Sequence, residues 1–185
     1  PTLPEREGWV DREKLYDIQG RSRKELIEIA RKFGIHEFPS PSTGCSLTEP
    51  QFSKKVFDLI ELDTGAGRWD YELLNIGRHY RIDEQTKVIV GRHAEDNAQL
   101  QYMFGLPESR NAALLSPRGF AGPSAMVLGT PSADKIRQGV ALIVRHAGED
   151  KAMDGVVEVR QGDQTTTVAA EVSDDVASLQ TIAAN

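Results

Sequence analysis

The chain has 185 residues, a net charge of −6 and one cysteine. That length can bury a sizeable core, in one domain or two small ones, and a lone cysteine excludes an internal disulfide framework and fits a reducing, cytoplasmic compartment. The charge is uneven: residues 1–92 carry 15 Lys/Arg against 16 Asp/Glu and residues 93–185 carry 7 against 12, which excludes a general nucleic-acid binder and confines any RNA surface to a local patch in the first half.

In chain order, residues 1–20 read as a linker entering a short helix, with Asp11 as its N-cap, Leu15 and Ile18 along it and Gly20 as its stop. Ser22 and Glu25 form a capping box for a second helix that ends at Gly34, with Leu26, Ile29, Ala30 and Phe33 on one face. Lys24, Arg31 and Lys32 lie roughly opposite, as a solvated face does. A loop rich in Pro, Ser and Gly follows over 35–47 and carries Cys45. Thr48 and Gln51 make another capping box, and Phe52, Val56, Leu59 and Ile60 repeat at the spacing of a buried helical stripe.

Gly65-Ala-Gly67 breaks the chain, and a short helix is expected over Trp69 to Ile76, with Asp70 as cap and Gly77 as stop. The period then changes. Arg78–Ile82 and Lys87–Val90 read as a hairpin turning at Asp83-Glu-Gln, and Gly91-Arg92 leads into a helix over Ala94 to Phe104. Ala112–Leu115 and Ala125–Leu128 read as strands on either side of a turn-rich stretch, and Ser132 or Thr130 caps a helix with Ile136, Val140, Ile143 and Val144 inward. Val156–Val159 and Thr165–Val172 read as a last hairpin, and the polar tail after Asp174 is expected to fray. The fold class this predicts is α+β. A helical region over 1–66, carrying the Cys45 loop, precedes a small mixed α/β domain with antiparallel hairpins over 67–185.

Two groups of residues carry candidate chemistry. Cys45 stands before a predicted helix N-terminus, where backbone N–H groups and the macrodipole favour an anion and make a thiolate nucleophile more available. The alternative is an inert, buried small side chain. Arg78, Arg81, Lys87 and Arg92 lie around the first hairpin as candidate RNA contacts, with Tyr80 or His79 able to stack on an unpaired base. Arg78 and Arg81 are not evenly spaced, so one basic face would need a bulge or help from the turn. Asn97 can bind backbone groups at the strand–helix junction, which would make Gly91-Arg92 to Asn97 a structural clasp.

Other chemistries have no signature here. The sequence holds no phosphate loop, no dinucleotide fingerprint and no Gly-x-Ser-x-Gly elbow. Its four histidines are scattered, with no Cys/His pairs at ligand spacing, so no metal site is expected. Its apolar stretches fall far short of the roughly 20 residues that span a bilayer.

Two segments resemble a known family. One runs from Glu7-Gly-Trp-Val-Asp-Arg12 through Gly20-Arg-Ser-Arg-Lys24 to Pro39-Ser-Pro-Ser-Thr-Gly-Cys-Ser-Leu-Thr48. The other joins Gly77-Arg-His-Tyr-Arg-Ile82 to Val88-Ile-Val-Gly-Arg-His-Ala-Glu-Asp-Asn97. Together they resemble the C-terminal half of PP-loop proteins of the tRNA thiouridylase type, and the second is similar to the NFACT-R RNA-binding domain. At the cysteine the family pattern Pro-Ala-Gly-Gly-Cys-Leu-Leu-Thr-Asp-Pro is matched at Gly44, Cys45, Leu47, Thr48 and Pro50, but not at Ser42, Thr43 or Ser46.

The resemblance implies a tRNA-interacting C-terminal fragment of an ATP-dependent thiolation enzyme, a transferase. ATP would activate a base carbonyl as an adenylate, and a sulfur nucleophile, with Cys45 as its candidate carrier, would displace it. ATP and Mg would belong to a preceding PP-loop domain, so this fragment would hold no cofactor and be inactive alone. Its partners would be tRNA, that PP-loop domain and a sulfur donor protein. Arg21, Arg23 and Lys24 are then further candidate RNA contacts. The rival expectation is a non-catalytic protein-interaction or dimerisation module, which the acidic rear half would suit.

Overall fold

In the computed structural model, residues 2–19, 23–37, 45–109, 111–129, 131–152 and 154–184 are described, and the chain divides into two compact units, Pro1–Gly44 and Cys45–Asn185. The first unit holds α1 (Leu3–Arg6), a 3-10 turn (Arg12–Lys14) and α2 (Lys24–Lys32), none with a buried residue. Asp11 caps only that turn, its Oδ1 accepting from the Glu13 N–H at 3.1 Å, so the helix expected to reach Ile18 stops at Lys14. Gly20, Arg21 and Ser22 lie outside the described residues, and Arg23 takes the N-cap of α2 without a side-chain bond. The C-terminus follows the sequence: Gly34, at φ +76°, donates to Arg31 O and Ile35 donates to Ala30 O, the paired bonds of a Schellman cap.

The second unit opens with Cys45 at the N-cap of a 3-10 turn (Ser46–Thr48) and continues into α3 (Pro50–Leu62), capped by Glu49. Thr48 therefore does not cap α3. Its Oγ1 donates back to Cys45 O at 2.7 Å, which closes the 3-10 turn instead. Helix α3 turns Val56 and Leu59 onto Leu74, so the expected change of domain at 66/67 falls inside this unit. Helix α4 (Arg68–Leu73) starts at Gly67, whose N–H donates to Asp70 Oδ2 at 2.9 Å. Asp70 thus serves from the third helical position rather than as the cap.

The remaining elements are β1 (Arg78–Asp83), β2 (Thr86–Val90), α5 (Ala94–Phe104), β3 (Ala113–Arg118), β4 (Ala125–Leu128), α6 (Ala133–Ala147), α7 (Glu149–Ala152), β5 (Val156–Gln161) and β6 (Gln164–Ala169). The strands form one antiparallel sheet in the order β1-β2-β4-β3-β5-β6. This is the α+β architecture that the alternating apolar runs predict. Side-chain alternation sends Tyr80, Val88, Val90, Leu115 and Val127 to one face, under Val140, Ile143 and Val144 of α6. Ile89, Leu114 and Met126 go to the other, under Trp69 and Leu73 of α4 and Leu100 and Met103 of α5. Ser132 caps α6, its Oγ accepting from the Lys135 N–H, while Thr130 lies outside the described residues. Gly129 leaves β4 at φ +97°, where an added Cβ would stand 1.9 Å from Gln85 O, so only glycine lets β4 pass the β1–β2 turn this closely.

The tail does not fray. Val176 is buried, Arg145 donates to Val176 O and Leu179 O at 3.0 and 2.9 Å, Thr181 bridges Tyr80, and the Ile182 N–H donates to His79 O at 2.8 Å. The edge of β1 would otherwise expose unpaired backbone groups, and this segment covers part of it.

Candidate nucleic-acid interface

Strand β1 runs antiparallel to β2 with Arg78 opposite Val90 and Arg81 opposite Lys87. That register separates the basic residues of the hairpin. Arg78 lies at one end of the sheet, beside Gly91 and Arg92 at the exit of β2, whereas Arg81 and Lys87 lie at the other end. The uneven spacing of Arg78 and Arg81 also puts them on opposite faces. Arg78 looks toward His146 of α6, and Arg81 makes a two-pronged ion pair with Asp58 of α3.

The first end carries a cleft of about 280 Å³ whose lining includes Arg78, Gly91, Arg92, Asn97, Pro123 and His146. Its geometry is set by the first turn of α5. His93 is the N-cap, its Nδ1 accepting from the Asp96 N–H at 3.3 Å. The buried Asp96 carboxylate accepts from Arg92 Nε at 2.7 Å, from its guanidinium NH2 at 3.1 Å and from its backbone N–H at 2.9 Å. Burial works against that charge, but the bonds from Arg92 outweigh it and hold the carboxyl below its ordinary range. Arg92 also donates to Asn75 O at 3.2 Å, yet its side chain stays 43% exposed. Asn97 Oδ1 accepts from the Ser124 N–H at 3.0 Å and tethers α5 to the start of β4. An added Cβ on Gly91 would stand 2.2 Å from that Oδ1, so glycine is required for the helix to close on the strand. The expected clasp at Asn97 is present, with Asp96 as its unforeseen centre.

Arg78 makes one weak bond, to Gly91 O at 3.4 Å, and no ion pair with a described residue. His146 Nε2 is 2.7 Å from the Tyr80 hydroxyl. Burial, then the charges of Arg78 and Arg145, lower its pKa and favour the neutral imidazole. Tyr80 is 2% exposed and belongs to the core, so it presents no ring to a base. His79 is equally buried; its Nε2 donates to Ile76 O at 2.9 Å, and desolvation holds its pKa well below the ordinary value.

Lys87 departs most from its expected role as an exposed RNA contact. It is 4% exposed and forms no hydrogen bond or ion pair with a described residue. Desolvation and then the charge of Arg81 push its pKa down to about 8. Arg23 and Lys24 are exposed on the first unit, Arg21 lies outside the described residues, and so do residues 38–44 of the cysteine loop. Cys45 is exposed and is separated from α3 by the 3-10 turn and Glu49, so it does not stand at that helix's N-terminus. Among the described residues no group of His, Cys, Asp and Glu could hold a metal, and no helix is long and apolar enough to cross a membrane.

The burial of Lys87 has a consequence for stability. Its pKa is about 8 in the fold against an ordinary 10.5, so between those values the unfolded chain binds more protons and stability rises with pH. The rise from this group is about 3 kcal/mol, at 1.36 kcal/mol per unit. Lys87→Met is predicted to be more stable than the parent at pH 7, with a gap that narrows by that amount toward pH 10.5. Denaturant melts across this range measure the gap, and a constant gap contradicts the assignment.

The family described as NFACT protein RNA binding domain matches residues 77–178. No curated protein matches. A solved structure, the C-terminal of the fibronectin/fibrinogen-binding protein from Streptococcus suis, is similar at 14% identity and a TM-score of 0.44, over 68% of this chain and 58% of that one. The chain thus spans less than two thirds of that structure's length. The family match contains all six strands and every residue lining the Arg78 cleft. With more than half of its length matched, the chain belongs to the family of NFACT protein RNA binding domains.

Proposed function

We propose that the chain binds RNA through the cleft at the start of α5, with Arg78 and Arg92 on phosphate oxygens and the first turn of the helix beside them. The observation that carries this reading is the charge of the lining. In a protein of net charge −6, this cleft is lined by two arginines, Arg78 and Arg92, and by no carboxylate. Arg78 brings a charge that no described acidic group offsets, and Arg92 brings a guanidinium already oriented by Asp96. A helix N-terminus adds partial positive charge and N–H donors where an anion would sit. Family membership supports RNA as the ligand.

Two finer parts of the reading rest on the sequence resemblance of residues 7–48 and 77–97 alone. They are tRNA as the RNA, and a parent thiolation enzyme whose PP-loop domain supplies ATP and Mg. Cys45 is the sulfur carrier in this reading, and its exposure is compatible with that role. A protein carrying both domains is then predicted to lose tRNA thiolation on Cys45→Ser, measured as thiolated nucleoside in digested tRNA. Undiminished thiolation removes this part and leaves the RNA-binding part standing.

Phosphate contacts make affinity fall with salt. Arg78→Ala is predicted to weaken RNA binding about tenfold near 0.1 M salt and to lower the slope of log K against log salt by about one. Fluorescence anisotropy with a labelled RNA hairpin measures both. No binding, or binding that ignores salt, would instead favour a protein-interaction or dimerisation module.

A further inference from the structure

The other end of the sheet carries a second, larger cleft, of about 390 Å³, between α3, α4, the β1–β2 turn and the exit of β4. Lys87 lines it. The residue is 4% exposed and no described group bonds its ammonium, although the carboxylates of Asp58, Asp63 and Asp70 lie near enough to favour its charge. Holding a lysine this far out of water with no bonded partner is costly, and stability alone would favour an apolar residue here. Arg81, which also lines the cleft, has its Nε and one terminal nitrogen turned onto Asp58, which offsets its charge.

The rest of the lining says what would satisfy Lys87. Asp63, Asp70, Glu84 and Glu108 ring the cleft with carboxylates, and Trp69 and Leu128 supply apolar wall. The carboxylates repel an anion, which excludes a phosphate or a second carboxylate as the group on Lys87. A fitting ligand is flat and neutral. It presents hydrogen-bond acceptors to Lys87 and N–H donors to a carboxylate. Among nucleobases guanine has this pattern: O6 and N7 accept, and the neighbouring N1–H and N2–H2 donate side by side, the spacing a carboxylate accepts with both oxygens. Adenine has a donor where O6 stands and no donor at N1. The volume lies within the range of small-molecule sites and accommodates one base with its sugar.

We propose that the Lys87 cleft is a site for a guanine base, with Lys87 on the O6/N7 edge and a rim carboxylate, Asp63 or Asp70, on the N1/N2 edge. Only the source of the base rests on the RNA reading: an unpaired guanosine of a bound RNA and a free guanine nucleoside share the same recognition chemistry. Asp70 already accepts from the Gly67 N–H through Oδ2 and Asp63 from the Gly65 N–H through Oδ1, so each keeps one uncommitted oxygen and a second lone pair on the other.

The test uses the full chain and guanosine, which has no phosphate and so does not depend on the Arg78 cleft. Calorimetric titration is expected to show guanosine binding that adenosine does not match within tenfold. Lys87→Met is expected to weaken guanosine binding at least tenfold, and Asp63→Asn severalfold. Should a variant fail to fold, the wild-type protein supplies a second readout: guanosine, but not adenosine, should shift the backbone amides of Asp63, Lys87 and Leu128 in the 15N-labelled chain. A short RNA with one unpaired G, compared with the same RNA carrying A there, separates the two sources. Preference for G that Lys87→Met abolishes identifies RNA as the source, and guanosine binding without that preference identifies the free nucleoside. Equal binding of guanosine and adenosine, or guanosine binding unchanged in Lys87→Met with the Lys87 amide of the wild-type unshifted, overturns the proposal. RNA binding lost on Arg78→Ala with guanosine binding intact separates the fate of this site from that of the phosphate cleft.

Discussion

The structure of the second unit turns on the burial of β2. All five residues from Thr86 to Val90 are buried, because α6 covers one face of the sheet and α4 and α5 cover the other. A strand covered on both faces has no solvent side on which to put a polar residue. The charges carried by the β1–β2 hairpin therefore have few places to go. Arg78 and Arg92 escape at the end where β2 leaves the sheet, Arg81 escapes onto Asp58, and Lys87 stays buried. The two clefts at opposite ends of the hairpin follow from this one constraint.

The exit of β2 is held by the first turn of α5. Asp96 gathers the backbone and side chain of Arg92, Asn97 reaches the backbone of Ser124, and Gly91 allows the close approach. A buried carboxylate that accepts three bonds from one arginine is costly to break, because either partner alone would be left a buried or misdirected charge. Fixing Arg92 in this way lowers the entropy it would lose on meeting a phosphate. The clasp is thus both structural and preparatory: the side chain that closes the strand–helix junction also faces the cleft.

Much of this arrangement was legible in the sequence. The short apolar runs in Lys87–Val90 and Ala125–Leu128 and the stripe of Ile136, Val140, Ile143 and Val144 identified two strands and the helix that covers them, since run length and periodicity report which positions are buried. Gly91, Arg92 and Asn97 marked the junction through the glycine break and an amide able to bind backbone groups. What escaped was long-range. Nothing local to Arg81 announces Asp58, and nothing local to Thr181 announces Tyr80, because both pairings depend on how elements pack. Asp96 carried a local signal, an Arg and an Asp four apart across a helix start, which a search for basic residues passes over. Lys87 was misplaced for a related reason. A lysine in a short apolar run reads as an exposed position, and only the second covering layer buries it.

The central claim is that RNA is held at the start of α5. Amide chemical shifts of the 15N-labelled chain, followed as a short single-stranded RNA is added, test it most directly. The account predicts salt-sensitive shifts at Gly91, His93, Ala94 and Asn97 and at the Gly122 turn, with the β5–β6 hairpin unmoved. Shifts that gather on the hairpin or on α6 and leave those five residues in place would contradict it.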